Sequence, residues 1–564
     1  MRRKYTTRTT GGSDVRGRIS ALGIVLVLLA GALSLGGSAS AREPKPYATT
    51  TGKSQPIYDE SVFEEYRVDT KWGEIYGIVE RPVVPDGVKV PVILTYTPYS
   101  LLTNPLSPVY NGNFSYDDAD YFVPRGYARA FFDLVGTGQS SGCYDHGGIR
   151  ERKTGAAVID FLGTRSWSNG KVGMIGASYD GTTQWAAAVE QPKHLTTMIP
   201  QVAIDRWYDY AFSQGVRYAS GSGTPYLFDY GFGVVPTHPT VPTPDTVVDH
   251  ARPCERLEHN ERAFLPDPVY DSFWDERDYL RRVHKIQASV MIEGSWVDRN
   301  VHPRNSIYMW NALPADHPKK LVMSQQGHGG ADLEDTLNIR HAWFDYWLLG
   351  LDTGVMDLPP VDSRVNTGLR IQDPSWPPPG TKQRTLRLVQ DASDDAQLDL
   401  VETEPPIWID DDPTLDHGLA MANGGGDSDL IFLGEPFRKR ARIAGIPKLS
   451  LQVVTDIENT WLTPVLFDEG PDGSRSLITT GLMNARNRFG LRRSEPLVPG
   501  EPWRGTVEFE PTDWIVKKGH RIGVVVMSMN AAEALYWSGF TATNELLLNR
   551  PNKLRLPLAP APRL

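Results

Sequence analysis

The stretch that most limits what this chain can fold into is residues 171–181, Lys-Val-Gly-Met-Ile-Gly-Ala-Ser-Tyr-Asp-Gly. A short apolar run ends in small residues around Ser178, and the alanine-rich sequence 182–189 that follows favours helix. The serine therefore sits where a buried strand turns sharply into a helix. Such a turn crowds the backbone, and Gly176 and Gly181 remove the side-chain volume that would hold strand and helix apart. The hydroxyl then stands at the carboxyl end of a strand beside helix N-terminal N–H groups, which is a nucleophile elbow. The spacing is Gly-Ala-Ser-Tyr-Asp-Gly, one residue longer than the usual G-x-S-x-G. A glycine-flanked serine is more often a plain helix cap, so its surroundings must decide.

Those surroundings are strands alternating with helices. Residues 72–79 alternate as a strand does, whereas 90–96 and 127–133 are continuous apolar runs, as expected of a sheet buried on both faces. An amphipathic helix is expected near 153–162, ahead of the elbow. This alternation predicts a mostly parallel sheet, with sites beyond the carboxyl ends of its strands. The glycine-rich loop 136–142 lacks the third glycine of a dinucleotide fingerprint. Residues 203–210 read as a strand end running into a helix. Residues 215–275, rich in Pro, Gly, Tyr and Asp, read as a cap inserted over the site. Alternation resumes with a strand at 289–294, a helix at 304–313, a strand at 320–324 and a helix near 341–349.

From about residue 359 helical periodicity gives way to short alternating runs, such as 448–454, 463–467, 506–510 and 521–527, separated by turn residues. The expected architecture is an α/β-hydrolase domain over 42–358, with a helical cap at about 211–280, followed by a jelly-roll-like antiparallel β-sandwich over 359–564. A chain of 564 residues is long enough for two or three domains.

Residues 1–41 read as a signal peptide: a basic segment to Arg18, an apolar run over 22–35, and the small-x-small site Ala39-Ser40-Ala41. The run is short for a membrane span, so export to the outside and no membrane partner are expected. Residues 42–58, polar and proline-rich, are expected to be a loosely held lead-in. The formal charge is −10, and the balance is more acidic once the basic first segment is set aside. That argues against a nucleic-acid partner. The two cysteines, Cys143 and Cys254, suit either one disulfide in an oxidising compartment or two separate thiols. No C-x-x-C or H-E-x-x-H pattern occurs, so neither a metal nor another cofactor is expected.

Two further expected strand ends carry Asp298 and His328. The chain order Ser178, Asp298, His328 is that of the α/β-hydrolase triad. A serine hydroxyl needs a neutral imidazole to take its proton as it attacks. The carboxylate fixes the imidazole tautomer and stabilises the imidazolium that forms. The tetrahedral oxyanion needs donors already in place. Those expected here are the backbone N–H of Tyr179 and the hydroxyl of Tyr99. Singly, each of these residues has an ordinary structural explanation; together, at successive strand ends in this order, they point to hydrolysis through a covalent intermediate.

With these residues in place the chain resembles the X-prolyl dipeptidyl-peptidase/cocaine-esterase group of serine hydrolases. The motifs are Pro98-Tyr99, Ser178-Tyr179-x-Gly181, Asp298-x-Asn300-Val301 and Gly327-His328, joined to the C-terminal sandwich. Trp207-Tyr208-Asp209-Tyr210 and Asp298-Arg299-Asn300-Val301 are most similar to the X-prolyl dipeptidyl-peptidases. The resemblance implies that Trp207, Tyr210, Asn300 and Val301 line the pocket for a penultimate proline, and that Tyr99 contributes to the oxyanion hole. An apolar ring without an N–H suits aromatic walls, and Asn300 is placed to hydrogen-bond a substrate carbonyl. Ala177 stands where many relatives carry lysine. Arg299-Asn300 occupy positions where the related α-amino-acid ester hydrolases carry acids. The acid that would hold a substrate's free amine is not fixed by the sequence; Asp205, Asp209, Asp229 and Glu255 are candidates. The expected activity is release of X-Pro dipeptides from peptide N-termini. Hydrolysis of small acyl esters or amides is the alternative, and a non-catalytic surface-binding role is more remote. Oligomeric state is not legible.

Overall fold

The computed structural model describes residues 51–99, 117–220, 260–263, 269–330, 333–390, 399–402, 408–423, 426–535, 541–548 and 552–561. The segment 1–41 expected to be a signal peptide, Asp229, Glu255, Cys254 and most of the expected cap lie outside them. Its first half is built on one ten-stranded sheet. The strands are β1 (Ser61–Thr70), β2 (Gly73–Pro82), β3 (Val90–Thr97), β4 (Ala128–Asp133), β5 (Ser168–Ala177) and β6 (Leu195–Gln201). A short hairpin, β7 (Phe212–Ser213) and β8 (Val216–Arg217), stands apart, and β9 (Ser289–Ser295), β10 (Lys319–Ser324), β11 (Val361–Arg364) and β12 (Arg370–Asp373) complete the sheet. Its order is β1-β2-β4-β3-β5-β6-β9-β10-β11-β12. The strands from β4 across to β11 run parallel, and antiparallel pairs close the two edges.

The apolar runs of the sequence explain why this sheet is covered on both sides. Val92, Leu94, Val172, Met174 and Met198 point into one core, whereas Ile93, Ile175, Ile199, Met291 and Val322 point into the other. Helices α1 (Asp117–Phe122), α2 (Ile149–Gly163), α3 (Tyr179–Ala188), α4 (Trp207–Ala211), α5 (Ser272–Glu276), α6 (Pro303–Ala312) and α7 (Leu333–Phe344) connect or flank the strands. Helix α2 begins before the amphipathic stretch read at 153–162. After α7 a π-helical turn, Asp345–Leu349, runs to Gly350 in a left-handed conformation.

The lead-in is not loose where it is described. Ser54 donates from its N–H (2.6 Å) and its hydroxyl (2.8 Å) to Asp345 and lies 2.8 Å from the His341 ring, while Ile57 N–H bonds Pro124 O. The expected boundary at 358/359 precedes β11 and β12, which complete the first sheet rather than opening the second. β11 pairs with β10 from Leu321↔Val361 onward, so the first sheet ends only at Asp373.

Beyond Asp373 the chain is β-rich. Thirteen described strands form one hydrogen-bonded network, mostly antiparallel, with one parallel pair at Arg387↔Asp399. Alternation is plain in Lys448–Thr455 and Pro502–Glu508, whose alternate side chains are buried in a separate core with Leu430, Phe432 and Val524. That period-two pattern is why this half was readable as strands.

Candidate active site

Ser178 stands between β5 and α3 with φ 59° and ψ −123°. Serine rarely adopts such a backbone conformation, and its persistence requires the surroundings to impose it. The glycines on either side explain how. A Cβ on Gly176 would lie 2.5 Å from the Asp180 Cβ, and one on Gly181 would lie 2.7 Å from the Ala203 Cβ and the Gln201 carbonyl. The Ser178 N–H bonds that same Gln201 carbonyl at 2.9 Å, which ties the elbow to the neighbouring strand.

The other two strand ends converge on this serine. His328 follows β10, and its Nε2 lies 3.0 Å from Ser178 Oγ. Its Nδ1 lies 2.8 Å from Oδ2 of Asp298, which follows β9. Asp298 is buried, and its Oδ1 accepts the N–H groups of Asn300 (2.8 Å) and Val301 (3.0 Å). Its carboxylate is therefore aimed by its own loop. The arrangement is a proton relay: serine hydroxyl to imidazole, with the imidazole N–H held by a fixed carboxylate.

Tyr99, at the end of β3, donates its hydroxyl to Ser178 Oγ at 3.3 Å and accepts the Tyr179 N–H at the same distance. Burial raises the Tyr99 phenol far above its ordinary range, so it is a neutral donor at physiological pH. The two donors expected for an oxyanion are thus side by side next to the nucleophile.

Helix α4 carries the aromatic wall. Trp207 and Tyr210 are both buried, with ring centroids 5.8 Å apart, and Trp207 lies 5.0 Å from the Tyr179 ring. The Tyr210 hydroxyl donates to Asn300 Oδ1 at 3.0 Å, linking the wall to the loop that carries Asp298. Val301 is buried on the same loop. Ala177 leaves the relay untouched.

The acids named as amine holders fare differently. Asp209 is paired with Arg206 (2.8 Å), and burial raises its carboxyl. Asp205 is fully buried, and that burial holds its carboxyl well above the usual range, with the Asp209 charge adding to it. Both are shut away from solvent, and Asp209 is already engaged by a cation.

Sequence reasoning missed the loop after β4. The ring of His146 (φ 46°) lies tilted, 4.5 Å from that of Trp207, and Gly147 lies against the indole, where a Cβ would meet Trp207 Nε1 at 2.0 Å. Trp207 Nε1 donates to Tyr279, whose hydroxyl donates to Gly147 O. Glu151 lies beneath, accepting the Gly147 N–H (2.8 Å) and the Tyr179 hydroxyl (3.0 Å). Burial pushes Glu151 up to about 8, and burial likewise pushes Asp180 up to about 8. The available signal was the run Tyr144-Asp145-His146-Gly147-Gly148 at a strand end. Cys143, at its edge, is disulfide-bonded, and the chain's other cysteine is Cys254. Among the described residues no cluster of His, Cys, Asp or Glu is arranged to hold a metal, and no helix is long and apolar enough to cross a membrane.

Residues 77–330 match the family described as X-Pro dipeptidyl-peptidase (S15 family). Residues 353–548 match the X-Pro dipeptidyl-peptidase C-terminal non-catalytic domain. The chain belongs to the X-prolyl dipeptidyl-peptidase/cocaine-esterase group of serine hydrolases. A Bacillus anthracis relative, named "Putative Xaa-Pro dipeptidyl-peptidase", is 29% identical over 518 residues, covering 85% of each chain. A CocE/NonD family hydrolase from Staphylococcus aureus superposes with a TM-score of 0.72 at 18% identity, covering 89% of this chain and 94% of that one. An α-amino acid ester hydrolase superposes with a TM-score of 0.67 at 19% identity, covering 92% and 100%. At those identities the two structures speak to the α/β-hydrolase fold with its C-terminal β-rich domain, which this serine hydrolase shares.

Proposed function

We propose that this serine hydrolase is an exported X-prolyl dipeptidyl-peptidase that works through an acyl-enzyme on Ser178. In the proposed cycle His328 Nε2 takes the Ser178 proton as Oγ bonds to the scissile carbonyl carbon. Asp298 steadies the imidazolium, and the Tyr179 N–H and Tyr99 hydroxyl receive the oxyanion. Collapse breaks the C–N bond, with His328 passing its proton to the leaving amine. Water, deprotonated by the same imidazole, then attacks the ester and frees the dipeptide.

The observation that carries the prolyl reading is the aromatic wall of Trp207 and Tyr210, hydrogen-bonded through Tyr210 to Asn300 on the loop of the triad acid. A proline ring fills such a wall without leaving an N–H unpaired. Val301 completes the apolar lining, and Asn300 can donate its amide to a substrate carbonyl. Export follows from the signal-like segment 1–41, and the substrate partner is a peptide. The alternative, an esterase or amidase on small acyl groups, draws support from the placement of Asp205 and Asp209, both buried, with Asp209 already held by Arg206.

The test compares Gly-Pro- and Ala-Pro-arylamides with an N-acetylated prolyl arylamide and a butyrate ester. Preference for the free-amine prolyl amides is the expected result. Equal rates on free and acetylated amides, together with faster ester turnover, would replace the peptidase reading with the alternative.

A further inference from the structure

The hairpin that follows the S1 helix is plugged into the C-terminal domain. Helix α4 carries Trp207 and Tyr210 and ends at Ala211; β7 and β8 follow at once, joined by Gln214 and Gly215. Both turn residues have positive φ, 42° and 87°, the two-residue turn that matches strand twist. Strand Pro502–Glu508 pairs along one edge with Lys448–Thr455. On its other edge the Gln214 side chain takes the place of a neighbouring peptide group. Its Nε2 donates to Thr506 O (3.1 Å), and its Oε1 accepts the Glu508 N–H (2.7 Å).

The backbone of the turn is gripped as well. Asn484 N–H donates to Gln214 O at 3.0 Å, its side-chain amide reaches Gly215 O at 3.4 Å, and Ser213 Oγ donates to Leu482 O at 3.3 Å. The fit leaves no room, since a Cβ on Gly215 would lie 2.2 Å from Asn487 Oδ1. Just past β8, Ala219 N–H bonds Glu533 O and Leu535 N–H bonds Arg217 O, so the segment leaving the hairpin is also laced to the C-terminal domain.

Helix α4 has only five residues, too few to hold its own position by helix hydrogen bonding. We propose that Gln214 is a positioning residue for the S1 pocket: its amide, seated on the edge of strand Pro502–Glu508, holds α4 so that Trp207 and Tyr210 face the Ser178 elbow. The domain described in the family as non-catalytic thereby sets acyl-group selectivity. This proposal rests on the assignment of α4 to S1 made above.

The experiment uses the full chain and the variants Gln214→Ala and Gly215→Ala. KM and kcat are measured on Gly-Pro-arylamide and on 4-nitrophenyl acetate, whose acyl group is too small to need the aromatic wall. The expected result for Gln214→Ala is a rise in prolyl KM of about fivefold to tenfold, with kcat and acetate turnover within about twofold of the parent. Gly215→Ala should shift the same ratio in the same direction, and Gly215→Ala/Asn487→Ala, which removes the obstructing amide, should recover part of it. Equal losses on both substrates, or an unchanged prolyl-to-acetate ratio in both single variants, would overturn the proposal. The parent enzyme's own rate on the prolyl amide tests the peptidase reading separately. If the parent prefers another bulky acyl group, the same variant-to-parent ratio is read with that group against acetate.

Discussion

The carboxyl rim of the parallel sheet and the C-terminal β-rich domain bury acids in different ways. In the β-rich domain the buried carboxylates of Asp513 and Glu469 meet arginines, whereas Asp429, without such a bond, is pushed up to about 6 by burial. Asp513 receives Arg442 through Nε (2.7 Å) and Nη2 (2.6 Å), and Glu469 receives Arg475 (2.8 Å) and Arg521 (2.6 Å). Burial still raises Asp513, but its partner's charge works against that rise. Around Ser178, by contrast, Glu151 takes neutral donors, Gly147 N–H and the Tyr179 hydroxyl. Asp180 relies on the Thr97 hydroxyl and a more distant Arg129. Backbone strain follows the same divide: every described non-glycine residue with positive φ lies between His146 and Gln214. Around the nucleophile, incompletely compensated acids (Glu151, Asp180) and strained backbone (His146, Ser178, Val202) therefore stand together, where they help hold a nucleophile and its donors in one geometry.

The sharpest way to break this contrast is at the rim itself. Ser178→Ala should reduce kcat/KM by about 10⁶-fold, as loss of a triad nucleophile does, and abolish fluorophosphonate labelling with unchanged near-UV circular dichroism. Turnover that survives at the parent level would place the nucleophile elsewhere. Tyr99→Phe removes one oxyanion donor and keeps the ring. It should lower kcat by about 10²–10³-fold with little change in KM. A variant with raised KM and normal kcat would make Tyr99 a pocket wall instead.

The difference between the two regions also explains what the sequence revealed. Strand ends bearing Ser178, Asp298 and His328 were legible because a doubly covered parallel sheet writes its strands as apolar runs and its sites just after them. The alternating runs 448–454 and 521–527 disclosed strands for the same reason of periodicity. What stayed hidden depends on contacts distant along the chain. Gly147 looks like any loop glycine until Trp207, sixty residues later, lies on it, and Glu151, just ahead of the helix expected at 153–162, carries no local sign that it is buried. The edge strands β11 and β12 carried no local mark of which sheet they would join. The partner that ties β11 to this sheet, β10, lies some forty residues upstream, and β12 joins only through β11.

A smaller effect is expected where the two regions meet. Arg299, in the loop of Asp298, pairs with the buried Glu533 and approaches Thr480 Oγ1 at 3.3 Å, both in the C-terminal domain. Arg299→Ala strands a buried carboxylate and should destabilise the chain by about 2 kcal/mol, a figure reduced from that of a fully buried pair because Arg299 is partly exposed. Glu533→Gln, which keeps a hydrogen-bonding group and buries no lone charge, should cost less than half as much. Urea unfolding of both variants measures the difference. Equal costs would mean that the pair contributes through packing rather than charge.

The finest test addresses the incompletely compensated acids by pH. Glu151 is raised from 4.5 and Asp180 from 3.8, each to about 8, by burial. Between those unfolded values and about 8 the folded state binds protons that the unfolded state has released, so stability falls as pH rises through that window. The contribution is complete below about pH 4 and lost above about pH 8. Glu151→Gln keeps an acceptor for Gly147 N–H and the Tyr179 hydroxyl but has no proton to lose. Its stability should match the parent near pH 5 and decline more shallowly toward pH 8, by up to about 1.4 kcal/mol per pH unit. Calorimetric Tm values from pH 5 to 9 give both slopes, and parallel curves would show that Glu151 is already ionised in the fold, removing the contrast between the two regions at that residue.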